Sequence, residues 1–316
     1  MRVLVTGAAG YVGYAVGRRL RDAGHRVSGL VRDPGRPLPP GVQPIIGDLL
    51  DPAGLAAVLD GPYDAVCHLA ALTRVRESFA DPLGFFTVNV QGTVNLLRAL
   101  PPVRADGSAT PPTRVVYGST AAVYGTPDRQ PISEAQPPAP TSPYGASKLA
   151  AEEVVRFYAR TGAIGAVVLR TFNVSGSVDG RPDPDPTRLI PRALAVADGR
   201  APHLEVNGDG AAVREYLHVD DLAAAHVAAV EAARPGEERV YNVGSGAGAS
   251  VAEVVETVAK VTGRPVPVVH RPPQPEPPLL LSDAAAIGRD LGWRPGRSAL
   301  PEIVADAWAA LHPAGG

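Results

Sequence analysis

The sequence is poor in several residue types on which protein functions commonly rest. One cysteine, Cys67, in 316 residues excludes an intrachain disulfide framework and any zinc site built on paired cysteines. Cys67 lies in a buried strand pattern and is read as a small core residue, and no metal site is expected. No apolar run reaches the roughly 18–20 residues of a membrane span. The opening Met1-Arg2-Val3-Leu4-Val5-Thr6-Gly7 turns into glycines too soon for the apolar region of a signal peptide. A formal net charge of −2 removes the broad basic field that nucleic acid or an anionic membrane would require. The expectation is a cytoplasmic protein with neither partner. Lysine is scarcer than its charge class suggests: of 30 basic residues only Lys148 and Lys260 are lysines. Glycine and proline, 34 of each, make up just over a fifth of the chain, a little under the ~25–30% that signals low complexity. With 45% hydrophobic residues alongside, this excess reads as codon usage rather than disorder.

What is present has a rhythm. Val3–Val5, Val27–Val31, Pro44–Ile46, Ala65–Leu69, Arg114–Tyr117 and Ala166–Leu169 read as short strands. They alternate with helical patterns over Tyr11–Ala23, Leu55–Leu59, Phe85–Leu100 and Pro143–Thr161. Such alternation predicts an α/β fold, a Rossmann-type doubly wound parallel sheet covered on both faces. After Asn173 the rhythm breaks into the polar Gly/Pro stretch Ser175–Thr187, and a second Pro-rich loop covers Arg271–Pro278. The expected division is a dinucleotide-binding domain over residues 1–174 and a smaller α/β substrate domain over 175–316, with about 216–245 returning to the first sheet.

Gly7-Ala8-Ala9-Gly10-Tyr11-Val12-Gly13 lies directly between a strand and a helix. Glycines there permit a tight turn and close approach of a pyrophosphate, which the helix N-terminus receives with free N–H groups. About twenty residues on, Arg32-Asp33 closes the second strand. Asp33 suits the ribose hydroxyls of NAD and Arg32 the extra phosphate of NADP, so the two point in opposite directions. Asp48, followed by Leu49, is a candidate for the adenine amino group.

Tyr144 and Lys148 stand four apart at the start of a helix introduced by Thr141-Ser142-Pro143, hence on one face. A phenol is a poor base at its ordinary pKa near 10; a neighbouring ammonium favours the phenolate, which can take an alcohol's proton while hydride leaves to a nicotinamide. Thr120, after the fifth strand, can hydrogen-bond the same oxygen. With two lysines in the chain, one falling here by chance is improbable.

Together with these, His68-Leu69-Ala70-Ala71, Asn89 in Asn-Val-Gln-Gly-Thr, Ser119–Gly125, Tyr144-Gly-Ala-Ser-Lys148, Leu169–Asn173, Leu189-Ile190-Pro191, Val213–Asp221 and Leu291-Gly292-Trp293 resemble the extended short-chain dehydrogenase/reductase superfamily, and within it the nucleotide-sugar epimerases. The resemblance implies a 4-epimerase of a nucleotide-diphosphate sugar with bound NAD. It implies Tyr144 as base, Lys148 as its partner and ribose ligand, and Thr120 as the hydroxyl on the sugar. It places Leu69, Ala70, Ala71 and Asn89 near the cofactor, and Thr73, Asn173, Leu189, Asn207, Arg214 and Arg271 around the substrate, Arg214 on its diphosphate. It also implies a homodimer through the Phe85–Leu100 and Pro143–Thr161 helices. His218 is read as structural, and Trp293 and Trp308 as packing anchors.

Three departures bear on function. Dehydratases of this family carry an Asp-Glu pair after the hydroxyl residue; Ala121 and Ala122 stand there and transfer no protons. Asn207 replaces the aromatic expected near the base, which weakens the case for uridine, and Arg271 is displaced by the prolines that follow it. An NADPH-dependent 4-ketoreductase, an atypical dehydratase and a non-catalytic NAD(P) sensor remain alternatives. Asp183 and Asp185, in Pro-Asp-Pro-Asp-Pro, read as a stiff solvated loop, with a lid over the nucleotide as a second reading.

Overall fold

The computed structural model describes residues 1–59, 61–100, 112–274 and 277–313; residues 275 and 276 of the expected Pro-rich loop lie outside them. Strands β1 (Arg2–Thr6), β2 (Arg26–Val31), β3 (Gln43–Ile46), β4 (Ala65–His68), β5 (Thr113–Thr120) and β6 (Ile164–Thr171) join a later strand, Glu238–Val243, in one seven-stranded sheet. Its order is Glu238–Val243, β6, β5, β4, β1, β2, β3, with every neighbouring pair parallel. The order reverses between β1 and β4, which opens a crevice at the carboxyl ends of those strands, where ligands bind in such sheets.

Both faces of the sheet are buried because alternate residues feed two cores. Val3 and Val5 pack with helix α1 (Tyr11–Asp22) and with the helix Val219–Ala232. Leu4 turns the other way, toward α2 (Pro52–Val58), α5 (Gly92–Ala99) and α6 (Pro143–Arg160). The sheet thus regains both the helix Val219–Ala232 and the strand Glu238–Val243 from sequence far downstream. A third apolar cluster joins the helices Leu189–Ala197, Val251–Thr262 and Leu300–Leu311. It carries two small sheets: Leu204–Asn207 beside Val268–Arg271, and Val213–Glu215 between Gly248–Ser250 and Leu279–Leu280.

Two elements differ from the sequence reading. A short helix α3 (Val75–Ala80) lies in a stretch without apolar periodicity. The segment Phe85–Leu100, read as one helix, is α4 (Pro82–Phe86), a π-helical turn Thr87–Gln91, then α5. The wide turn contains Asn89, buried within the fold, and such turns often mark functional sites.

Candidate active site

Gly7 has φ +68°, a conformation that penalises any Cβ. Its carbonyl accepts from Gly10 N at 2.9 Å and closes the turn. A Cβ on Gly13 would stand 2.1 Å from that same carbonyl oxygen, and one on Gly7 would stand 2.9 Å from Ala70 N. Gly10, exposed, is the N-cap of α1 and has no side chain to satisfy the first N–H groups. An exposed helix N-terminus behind a turn without side chains fits a dinucleotide's pyrophosphate, and these residues accommodate the expected cofactor.

The loop after β4 is fixed from below. Thr6 Oγ1 accepts the Leu69 and Ala70 N–H groups, each at 3.1 Å, and lies 2.7 Å from His68 Nδ1. Asn89 clamps the next residue, accepting Leu72 N at 2.8 Å and donating to Leu72 O at 3.1 Å. Its amide also donates to Ser147 Oγ at 2.9 Å, and Ser147 Oγ to Tyr144 O at 2.8 Å. Asn89 thus ties the loop Leu69-Ala70-Ala71 to the helix that carries the tyrosine. The π turn brings its amide to both.

Helix α6 starts where its caps dictate: Ser142 Oγ accepts Gly145 N at 3.1 Å and Pro143 occupies the first turn. Tyr144 and Lys148 follow on one face and are 8% and 3% exposed. Thr120 ends β5 and accepts Ala122 N at 3.2 Å. Its own O–H is left to donate, and it hydrogen-bonds Tyr144. Burial raises the Tyr144 phenol above its ordinary value, opposed by that hydrogen bond and by the charge of Arg188. Burial drives Lys148 down to about 7, opposed by Glu152. The Lys148 side-chain nitrogen lies 4.1 Å from the centroid of the Tyr117 ring, and Arg188 is a cation that favours the Tyr144 phenolate.

Sequence reasoning missed Arg188, which stands one residue before the Leu189 it did single out. Arg188 pairs with Asp183 at 3.0 Å, and Asp183 is 8% exposed, so the solvated reading of that aspartate is corrected. The polar segment bridges the cleft. Tyr11 Oη donates to Gly176 O at 2.9 Å, and the Arg181 guanidinium lies 4.3 Å from the Tyr14 ring centroid. It runs from the glycine turn toward Tyr144.

The other expected residues fall around this cleft in varying states. Arg32 and Asp33 are exposed, and Asp33 accepts Gly35 N at 2.8 Å. Asp48 accepts Leu50 N at 2.9 Å, and the carbonyl of buried Leu49 accepts from Asn95 at 2.8 Å. Val12 is partly buried in the first turn of α1, and Thr73 is exposed just before α3. Asn173 donates to Glu215 O at 3.1 Å. Leu189 opens its helix, Asn207 and Arg271 are register partners on exposed strand ends, and Arg271 pairs with Glu205 at 2.5 Å. Arg214 Nη1 donates to Val213 O at 2.8 Å, and the neighbouring Glu215 carboxylate is buried and accepts Ser282 Oγ at 2.9 Å and Gly246 N at 2.7 Å. His218 is structural in its contacts. Its Nδ1 accepts Asp220 N at 3.0 Å, which leaves Nε2–H for Asp306 at 3.1 Å. Cys67 is fully buried, and burial pushes its thiol up to about 12.

Chemically, the arrangement offers a half-buried hydroxyl bonded to a buried phenol, with a buried lysine on the same helix, and Ala121 and Ala122 lie in the short helical turn after Thr120. It can move a proton at one alcohol but has no acid–base pair for eliminating water at those positions. The relatives agree with this chemistry. A curated UDP-glucose 4-epimerase of Streptomyces lividans is 42% identical, over 99% of this chain and 98% of its own. A UDP-glucose-4-epimerase of Stenotrophomonas maltophila, solved with NAD and formylated UDP-arabinopyranose, superposes with a TM-score of 0.88 at 31% identity, covering 98% of this chain and 97% of that one. One from Brucella ovis, in complex with NAD, gives 0.87 at 36% identity over 97% of each chain. Residues 3–244 match the model of the NAD dependent epimerase/dehydratase family, and with the glycine turn, the Thr120–Tyr144–Lys148 set and the sheet order in place, the chain belongs to that family.

Proposed function

We propose that this protein is a UDP-sugar 4-epimerase acting by transient oxidation at C4 with bound NAD. The observation that carries the reading is the meeting of Thr120, Tyr144 and Lys148 at the carboxyl ends of the sheet, beside the glycine turn, with alanines at 121 and 122. The curated relatives' name and the NAD bound to solved relatives support it.

The Gly7–Gly13 turn would hold the pyrophosphate, Asp33 the ribose, Asp48 and Leu49 the adenine side, and the Leu69-Ala70-Ala71 loop with Lys148 the nicotinamide side. Bound NAD accepts the C4 hydride and later returns it. Tyr144 takes the C4 hydroxyl proton and gives it back, and the Thr120 O–H, which holds the phenol in the free protein, turns to the sugar oxygen when substrate is bound. Burial of Tyr144 and Lys148 keeps water from the keto sugar. Arg214, Asn173 and Arg271 are proposed for the diphosphate side, and Thr73, Leu189 and Asn207 for the sugar and base. The reading assigns 1–174, with about 216–245, to the cofactor and the remainder to the substrate.

A homodimer and a cytoplasmic setting belong to the same proposal. Leu83 on α4 and Phe157 on α6 are 78% and 57% exposed on helices that pack together, and large apolar side chains left in water on neighbouring helices support an interface there. Tyr144→Phe tests the chemistry. Turnover of UDP-glucose and UDP-galactose, followed by NMR, falls about 10²–10⁴-fold while binding of the UDP-sugar persists. Near-normal turnover excludes Tyr144 as the base.

A further inference from the structure

Behind the Tyr144–Lys148 face, one turn further along α6, lies an acid that the mechanism above does not use. Glu152 is 3% exposed and Arg170, on β6, is 6% exposed. The guanidinium reaches the carboxylate at 2.7 Å through Nη2 and at 3.2 Å through Nε. Ser119, the residue before Thr120, donates its hydroxyl to the same carboxylate. Arg170 Nη1 donates to Tyr124 Oη at 3.0 Å, Tyr124 Oη to Asn242 Oδ1 at 2.8 Å, and Asn242 Nδ2 to Ile132 O at 2.8 Å. The network crosses β5, β6 and the strand Glu238–Val243, and Glu152 at its inner end stands one helical turn from Lys148 on α6.

We propose that Glu152 is a positioning residue for the reaction: from inside the fold it keeps Lys148 protonated and, through Ser119, holds the end of β5 that presents Thr120. The inference rests on the epimerase reading for its consequence in turnover; its charge argument rests on two buried side chains one turn apart on α6 and on the carboxylate's ties to Ser119 and Arg170. Lys148 is almost fully enclosed, and burial alone favours its neutral form. Its neighbours are few. His68 on β4 is held neutral, driven down to about 3 by burial and by Lys148 itself. Tyr117 on β5 presents its ring, and Tyr144 shares the helix. Glu152 is the anion that acts on the ammonium. Arg170 meets the carboxylate from β6, and Glu238, on the adjoining strand, also feels its charge. Lys148, Glu152 and Arg170 together carry one net positive charge. Replacing Glu152 by glutamine would leave two buried cations in one cluster, and the lysine gives way because a guanidinium does not deprotonate in this range.

The scarcity of lysine makes the test direct. Protein labelled with ¹³C at lysine Cε gives two resonances, with exposed Lys260 as internal reference. In Glu152→Gln the Lys148 midpoint moves down by about one pH unit or more while that of Lys260 stays. The alkaline limb of kcat moves down with it, and KM for the UDP-sugar changes less than twofold. If the single variant fails to fold, Glu152→Gln with Arg170→Gln removes both charges of the pair and gives a smaller downward shift, since the anion acting on Lys148 is gone but no second cation is left beside it. An unchanged Lys148 midpoint in whichever variant folds overturns the proposal. A wild-type protein that turns over no UDP-sugar removes the epimerase reading, and the lysine titration still decides the role of Glu152.

Discussion

Two glycines one turn apart in α1 should respond oppositely to the same methyl group. At Gly13 a Cβ would stand 2.1 Å from Gly7 O and 2.7 Å from Gly7 C, atoms of the backbone turn that cannot rotate away. At Gly17 it would meet Pro39 Cγ at 3.6 Å and Val42 Cγ2 at 3.7 Å, ordinary contacts with side chains. Alanine in a helix interior is favoured over glycine by about 0.8–1.0 kcal/mol, and Gly17→Ala should keep that gain. Gly13→Ala collects the same gain against an overpacking penalty of about 1–3 kcal/mol, so the two variants should differ by about that penalty. In thermal unfolding Gly17→Ala melts slightly above the wild type and Gly13→Ala below Gly17→Ala by several degrees. The larger effect is on the ligand, because relief at Gly13 must move the carbonyl that shapes the phosphate turn. NAD affinity, measured by calorimetry on cofactor-stripped protein, should weaken at least tenfold, a change of about 1.4 kcal/mol, in Gly13→Ala and stay within twofold in Gly17→Ala. A Gly13→Ala protein as stable as Gly17→Ala, with unchanged NAD affinity, would refute the steric argument.

Burial drives His226 down to about 4, and its Nε2 makes no hydrogen bond. Its folded pKa lies below the unfolded value of about 6.5, so its contribution to stability is complete above pH 6.5 and is lost as pH falls toward 4. The loss at pH 5 is about 2 kcal/mol. Denaturant unfolding of His226→Leu at pH 5 and pH 8 should show a smaller difference than the wild type; an equal difference refutes the assignment. Arg188→Gln removes a cation acting on Tyr144, so the acid limb of kcat should move to higher pH, and an unmoved limb would show that its charge does not reach the phenol. Light scattering should find the wild type at twice the chain mass and Leu83→Glu with Phe157→Glu at the chain mass. A monomeric wild type ends the dimer proposal.

The sheet and the proposed catalytic set were legible because their signals are local. Val3–Val5 before a glycine turn, and Tyr144 four residues before a rare lysine, need no knowledge of distant chain. Pro44 read as strand and proved to lie on the edge strand β3, where a missing N–H is tolerated. The π turn at Thr87–Gln91 was hidden, since one extra residue per turn barely disturbs an apolar period; its cause is Asn89 reaching both Leu72 and Ser147. Asp183 looked solvated by composition, and its burial comes from Arg188 and from a segment held down by Tyr11. The three-stranded sheet around Val213–Glu215 draws its partners from residues 248–250 and 279–280, a pairing no local pattern announces. Glu152 carries no local signal in the sequence, and only the fold, by placing Arg170 of β6 against it, sets it apart.

The late return of Glu238–Val243 to the sheet has a consequence during synthesis. β6 is buried along nearly its whole length, and its outer edge is completed by residues that follow its own end by more than sixty positions. At ~5–20 residues per second, a ribosome needs on the order of 3–13 s to supply them. Throughout that interval the nascent chain carries an apolar strand with one unpaired edge, the kind that recruits other strands. The opposite edge, β3, has Pro44 to blunt it; β6 has no such guard. The growing polypeptide is therefore most exposed to mispairing after β6 has been made and before Glu238–Val243 follows it.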